Sequence, residues 1–116
     1  MTPRDFAVGL MHSVVDEGVR AYEDMFNEAY PEKSSDPYGK QALTLFHSLT
    51  QEQKFIFFKI VRQVSVDTVS SVLGIIDGVG FIEGATEEYT LIYGRDQKLS
   101  GDLQSLFLVE QERATK

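Results

Sequence analysis

The stretch QEQKFIFFKIVRQVSVDTVSSVLGIID, residues 51–77, decides the fold. Phe55, Phe57, Phe58, Ile60, Val61, Val64, Val66, Val69, Val72, Leu73, Ile75 and Ile76 follow helical spacing and cover about two thirds of a helix circumference. A polar strip remains at Lys59, Gln63, Asp67, Ser70 and Gly74. Thr50 and Gln53 stand at capping-box spacing, each side chain able to satisfy a backbone donor at the helix start, and the glycines of Asp77-Gly-Val-Gly80 end it. A helix so apolar needs partners on more than one side, so it is read as central, with Phe58 and Val72 in the core. The β-branched run from Val64 to Val69 leaves a break into two helices as the alternative.

The partners come from both flanks. Upstream, Thr2 and Pro3 make a helix start. Ala7, Val8, Met11, Val14, Val15, Gly18, Val19, Tyr22, Met25, Phe26 and Ala29 then fall in one arc of roughly 160°. This predicts an amphipathic helix from Pro3 to about Ala29, antiparallel to the central one and ended by Pro31. Residues 31–36 (PEKSSD) have loop composition, and Asp36-Pro37 opens a short helix with Ala42, Leu43, Phe46 and Leu49 on its apolar stripe. Downstream, Tyr89–Tyr93 is rich in strand formers and turns at Gly94-Arg-Asp into Gln97–Leu99. Ser100 is expected to cap a last helix carrying Leu103, Leu106 and Phe107, although Leu106–Val109 alone also fits a strand. The expected fold is mainly α: a bundle of three to four helices around the central apolar helix, with a small β-hairpin near residues 89–99, in a single domain spanning 1–116.

With 42% hydrophobic and 25% charged residues, the balance is that of a globular chain. The longest uncharged stretch, Gln41–Gln51, is far short of the ~20 apolar residues of a membrane span. Arg4 followed by Phe6–Val15 has a faint signal-peptide outline, but Asp5, Asp16 and Glu17 interrupt it and it reads as a helix start. Cysteine is absent, which excludes disulfides and thiol chemistry and fits the cytoplasm, the expected location. The net charge is −7, spread evenly over the two halves, and the basic residues are dispersed. Nucleic-acid and membrane-surface binding, which need clustered cations, are therefore not expected.

One charge cluster stands out. Residues 16–36 hold seven acidic side chains against Arg20 and Lys33, a local net of −5. Asp16, Glu17, Glu23, Asp24 and Glu28 are taken as one acidic face of the first helix and as the candidate partner-binding residues. Arg62 lies inside the apolar arc of the central helix, where a guanidinium needs a carboxylate from another element or else an anion in a pocket. Ser65 and Thr68 would line the same notch, so Arg62, Ser65 and Thr68 are the candidate ligand-binding residues. His12 and Asp16, one turn apart, suggest a weak metal pair that Glu23 or His47 would extend; with two histidines and no fixed geometry, no metal site and no cofactor are expected. No HExxH, GxSxG, Walker loop or GxGxxG is present. The glycines at 74, 78, 80 and 84 follow a helix, where phosphate cradles follow a strand.

These observations favour a non-enzymatic interaction module of inhibitor, immunity or regulatory type, presenting its acidic face to a basic protein partner. The alternative is a small-molecule binder or small enzyme using the Arg62 notch or the His12/Asp16 pair. A third reading is a homodimer through apolar surface left over on the central helix.

Overall fold

A computed structural model describes residues 1–114. Its order is α1 (Pro3–Leu10), a π-wound segment (Met11–Asp16), α2 (Glu17–Glu28), a 3-10 turn (Pro31–Lys33), α3 (Pro37–His47), α4 (Gln51–Ile76), β1 (Ile92–Tyr93), β2 (Gln97–Lys98) and α5 (Leu103–Ala114). The fold is mainly helical with one small antiparallel hairpin, in which Ile92 pairs with Lys98 and Tyr93 with Gln97.

α1, the π segment and α2 continue one another, because Leu10, Asp16 and Glu17 all keep right-handed helical dihedrals. The π winding explains the buried line Ala7, Met11, Val15 and Val19. In an α-helix a step of four residues overshoots a full turn by about 40°. The wider π turns take that overshoot back, so residues four apart stay on one line. The same shift turns Val14 to the surface, and Tyr22 and Met25 are also exposed, contrary to their placement in the expected arc.

α4 is unbroken over 26 residues, started by a Thr50–Gln53 capping box and ended where Gly78 takes φ +86°, a conformation that L side chains resist. It is the helix the others share. Phe26 meets Phe57 and Phe58 near its start, while Arg62 reaches Asp16 and Met11 farther along, so α4 runs antiparallel to the first helical rod. α5 lies against α1 and the second half of α4.

Three local expectations are corrected. Ser70 and Gly74 do not belong to a solvent strip: both are buried against α5, where Gln104 Nε2 donates to the Ser70 carbonyl (3.0 Å) and approaches Gly74 too closely for a Cβ. Val72, placed in the core by its spacing, is 51% exposed, because α5 occupies the neighbouring face instead. Ser100 does not cap α5; its Oγ accepts from Leu91 N (3.0 Å) and extends the hairpin. The cap comes from the end of α4, where the Asp77 carboxylate accepts from Gly101 N (2.7 Å) and Gln104 N (2.8 Å).

Two hydrophobic clusters result. The larger joins Ala7, Met11, Val15, Val19, Val66, Leu73, Leu103 and Phe107; the smaller is aromatic, with Phe26, Leu43 and Phe46 buried and Phe57 and Phe58 packed against them. The radius of gyration is 17.7 Å over extents of 51 × 36 × 23 Å, against about 13 Å for a compact chain of this length. Among the described residues no helix is long and apolar enough to cross a membrane.

Candidate functional site

The acidic residues of the first rod fall on two lines of its surface. With α2 a regular α-helix, Glu17, Asp24 and Glu28 follow one line at i, i+7 and i+11, whereas Asp16, Arg20 and Glu23 follow another about 100° away. Asp16 is also engaged. Arg62 Nη1 donates to Asp16 Oδ1 at 2.8 Å, the inter-element carboxylate that a guanidinium in an apolar arc requires, and Arg62 Nη2 points at Met11 Sδ (3.7 Å). The two side chains remain 28% and 35% exposed, so solvent screens the pair and its contribution is modest.

His12 Nδ1 lies 3.8 Å from the second Asp16 oxygen. His12, Asp16, Val19, Arg20, Glu23 and Arg62 line a shallow depression of about 260 Å³. Its two guanidinium groups face two carboxylates, leaving little net field for an anion, and none of its lining residues carries a hydroxyl, thiol or amine nucleophile. Ser65 and Thr68 do not join it. Ser65 Oγ donates back to the Val61 carbonyl one turn earlier (3.0 Å), and Thr68, six residues from Arg62, projects about 120° away and is exposed. Among the described residues no group of three or more His, Asp or Glu comes together as a metal site.

A larger concavity lies elsewhere, at the junction of α2, the 31–36 loop and α3. It encloses about 760 Å³ and is lined chiefly by Tyr22, Met25, Phe26, Tyr30, Tyr38 and Leu43, with Glu28, Lys33 and Asp36 among its polar residues. Local chemistry builds it. Pro31 ends the helical path, Ala29 and Tyr30 take extended dihedrals, and Asp36 caps α3 by accepting from Tyr38 N (3.3 Å) and Gly39 N (3.1 Å). His47 fixes the extended segment: its ring stacks on Tyr30 at 4.8 Å and 10°, and Nε2–H donates to the Ala29 carbonyl at 2.7 Å. Tyr22 in turn stacks on buried Phe26 (6.3 Å). Two of the tyrosines are therefore held against the protein, and the third, Tyr38, stands 75% exposed at the N-terminus of α3.

Sequence reading missed this groove. The signal present was Tyr22, Tyr30 and Tyr38 at intervals of eight, two of them flanking a polar loop with no core to enter. No family model, curated protein or solved structure matches the chain.

Proposed function

We propose that the chain is a non-enzymatic interaction module that holds a basic segment of a partner protein in the Tyr22–Tyr30–Tyr38 groove. The observation that supports this most is the pairing of an aromatic groove with the most acidic stretch of the chain, residues 16–36 at a local net of −5. An arginine or lysine side chain lays its apolar stem along Met25 and its charge over tyrosine faces, worth about 0.5–2 kcal/mol per contact. Glu28 lies in the groove wall, and Glu17 and Asp24 continue its line along α2. These carboxylates mainly accelerate encounter with a cationic partner. Asp16 and Glu23, at the Arg62 depression, play a smaller part in this reading.

The groove's volume also falls in the range of small-ligand pockets, roughly 300–1,000 Å³, which favours an apolar small molecule as the second reading. An enzyme built on His12 and Asp16 has less support, since Asp16 is occupied by Arg62 and the depression carries no hydroxyl, thiol or amine nucleophile.

Titration with a panel of short arginine- and lysine-containing peptides, followed by NMR of the tyrosine rings, tests the proposal. Basic peptides are expected to shift Tyr22, Tyr30 and Tyr38, and Tyr38→Ala is expected to weaken binding without unfolding, given that residue's exposure. The triple change Glu23→Gln, Asp24→Asn, Glu28→Gln is expected to slow association at low salt and to matter less at high salt. Peptide binding that ignores both salt and these substitutions, or shifts confined to residues outside the groove, would reject it. Binding of uncharged apolar compounds alone would establish the small-molecule reading instead.

A further inference from the structure

His47 stands behind the tyrosine groove. Its ring stacks on Tyr30 at 4.8 Å and 10° and meets Phe46 edge-on at 5.3 Å. Tyr30 lines the groove and His47 does not, so the imidazole covers one face of the phenol ring and leaves the other face and the edge to the groove. The Ala29 carbonyl can only accept, so the nitrogen 2.7 Å from it, Nε2, carries a proton in the neutral ring and in the cation alike. Titration therefore takes place at Nδ1, and the ring gains charge without giving up its bond to Ala29 or its stack on Tyr30.

We infer that protonation of His47 loosens the groove's hold on a basic segment, so that binding is strong in mild alkali and falls off in mild acid; the inference rests on the cationic reading of the groove. A cation over the open face of Tyr30 and an imidazolium behind it draw on the same ring, with their charges on the order of 9 Å apart. The two repel across that ring, and with partial screening by solvent the repulsion weakens binding by about three- to tenfold. Histidine is the side chain that gains its charge between about pH 8 and pH 5. A tyrosine face and the last turn of α3 both carry negative potential, so the stack persists when the charge arrives. The charged side chains on the elements around His47 are Glu28 at the end of α2, Glu32 and Lys33 in the 3-10 turn, Lys40 on α3 and Lys54 on α4, whose ammonium lies 4.9 Å over the Phe46 ring. Among the described residues none of these is ion-paired to His47, so no carboxylate contact neutralises the charge it gains.

NMR titration of the whole chain with a capped arginine–glycine peptide, whose own charge is constant over the range, tests the inference at about pH 8 and about pH 5.5. The native protein is expected to bind the peptide about three- to tenfold more weakly in the acid sample. His47→Gln, whose amide can still donate to Ala29 but gains no charge, is expected to bind equally in both. His12→Gln, at the chain's other histidine and outside the groove, is expected to keep the native dependence. The coupling is reciprocal, so saturating peptide is expected to move the midpoint of the His47 ring titration to lower pH and to leave that of His12 in place. This last measurement needs no variant and decides the matter if circular dichroism shows His47→Gln unfolded. Groove tyrosines that report equal affinity in both samples would overturn the inference while leaving the groove reading intact, and so would a pH dependence that survives in His47→Gln or a His47 midpoint that ignores the peptide. Tyrosines that shift in neither sample would reject the groove reading and this inference with it.

Discussion

The two ends of the molecule are held together differently. At one end α1, the π segment, α4 and α5 converge on Ala7, Met11, Val15, Leu73, Leu103 and Phe107, a mostly aliphatic interior closed from three sides. At the other, α2, α3 and the start of α4 meet through rings: Phe26, Phe46, Phe57 and Phe58 lie 5.1–6.4 Å apart in tilted and edge-on pairs, and of the four only Phe26 and Phe46 are buried. α5 touches α1, the π segment and α4, where its polar contacts reach Ser70 and Asp77 and not the first turns of α4. A two-sided aromatic layer leaves flanks: the tyrosine groove lies on one, and Ile56 and Ile60 stand exposed on the other. Where the third helix arrives, the surface is closed; where it does not, apolar side chains remain exposed.

The largest expected effects test that contrast directly. Phe107→Ala removes a fully buried ring from the closed end and should cost about 3–5 kcal/mol in urea unfolding. Phe46→Ala should fall at the lower limit of that range, because half-buried Phe57 and Phe58 can move into the gap. Val72→Ala should stay within about 0.5 kcal/mol of the native protein. Amide hydrogen exchange should show α3 opening at lower free energy than α1 and the second half of α4. Equal protection at both ends would erase the distinction.

The element types were legible because each carries a local signature: the Thr50–Gln53 box, the Asp36–Pro37 start and the Gly94 turn all act within a few residues. The Arg62 pairing was legible too, since a charge inside an apolar arc requires a partner whatever the fold. What escaped was set by tertiary contact. Ser70 and Gly74 read as a solvent strip until Gln104, thirty residues away, covers them. Asp77 looked like a helix end and is also the cap of another helix. The groove was hidden because Tyr22 and Met25 fit the apolar arc of a uniform α-helix, whereas a π turn upstream shifts the phase of everything after it.

The next effect concerns the clasp that closes the aliphatic end. Asp77 supplies the capping acceptor that Ser100 does not, so Asp77→Ala strands two backbone donors at the start of α5 and should cost about 1–2 kcal/mol. The loss should appear as faster exchange in α5 with α3 unaffected, making the closed end behave more like the open one. Asp77→Asn, which keeps an acceptor, should recover part of it. A uniform loss across both ends would show the molecule unfolding as one unit, with no separate role for the clasp.

The smallest effect lies at the very start of the same end. Thr2 Oγ1 accepts from Asp5 N at 3.0 Å and Asp5 Oδ2 accepts from Thr2 N at 3.1 Å. The hydrogen bonds from the Thr2 backbone and then the Thr2 hydroxyl hold the Asp5 carboxyl below its ordinary range. A depressed carboxyl favours the folded state fully above its unfolded pKa, and that contribution is lost as pH falls through the folded value, here below about pH 4. Asp5→Asn keeps an acceptor and removes the charge. The native protein should therefore melt slightly higher than this variant at neutral pH, with the gap closing in strong acid. Because Asp5 is fully exposed, the gap should be small and confined to exchange in α1. A gap that persists unchanged into strong acid would mean that the cap acts through hydrogen-bond geometry alone, and the carboxylate charge would drop out of the account of this end.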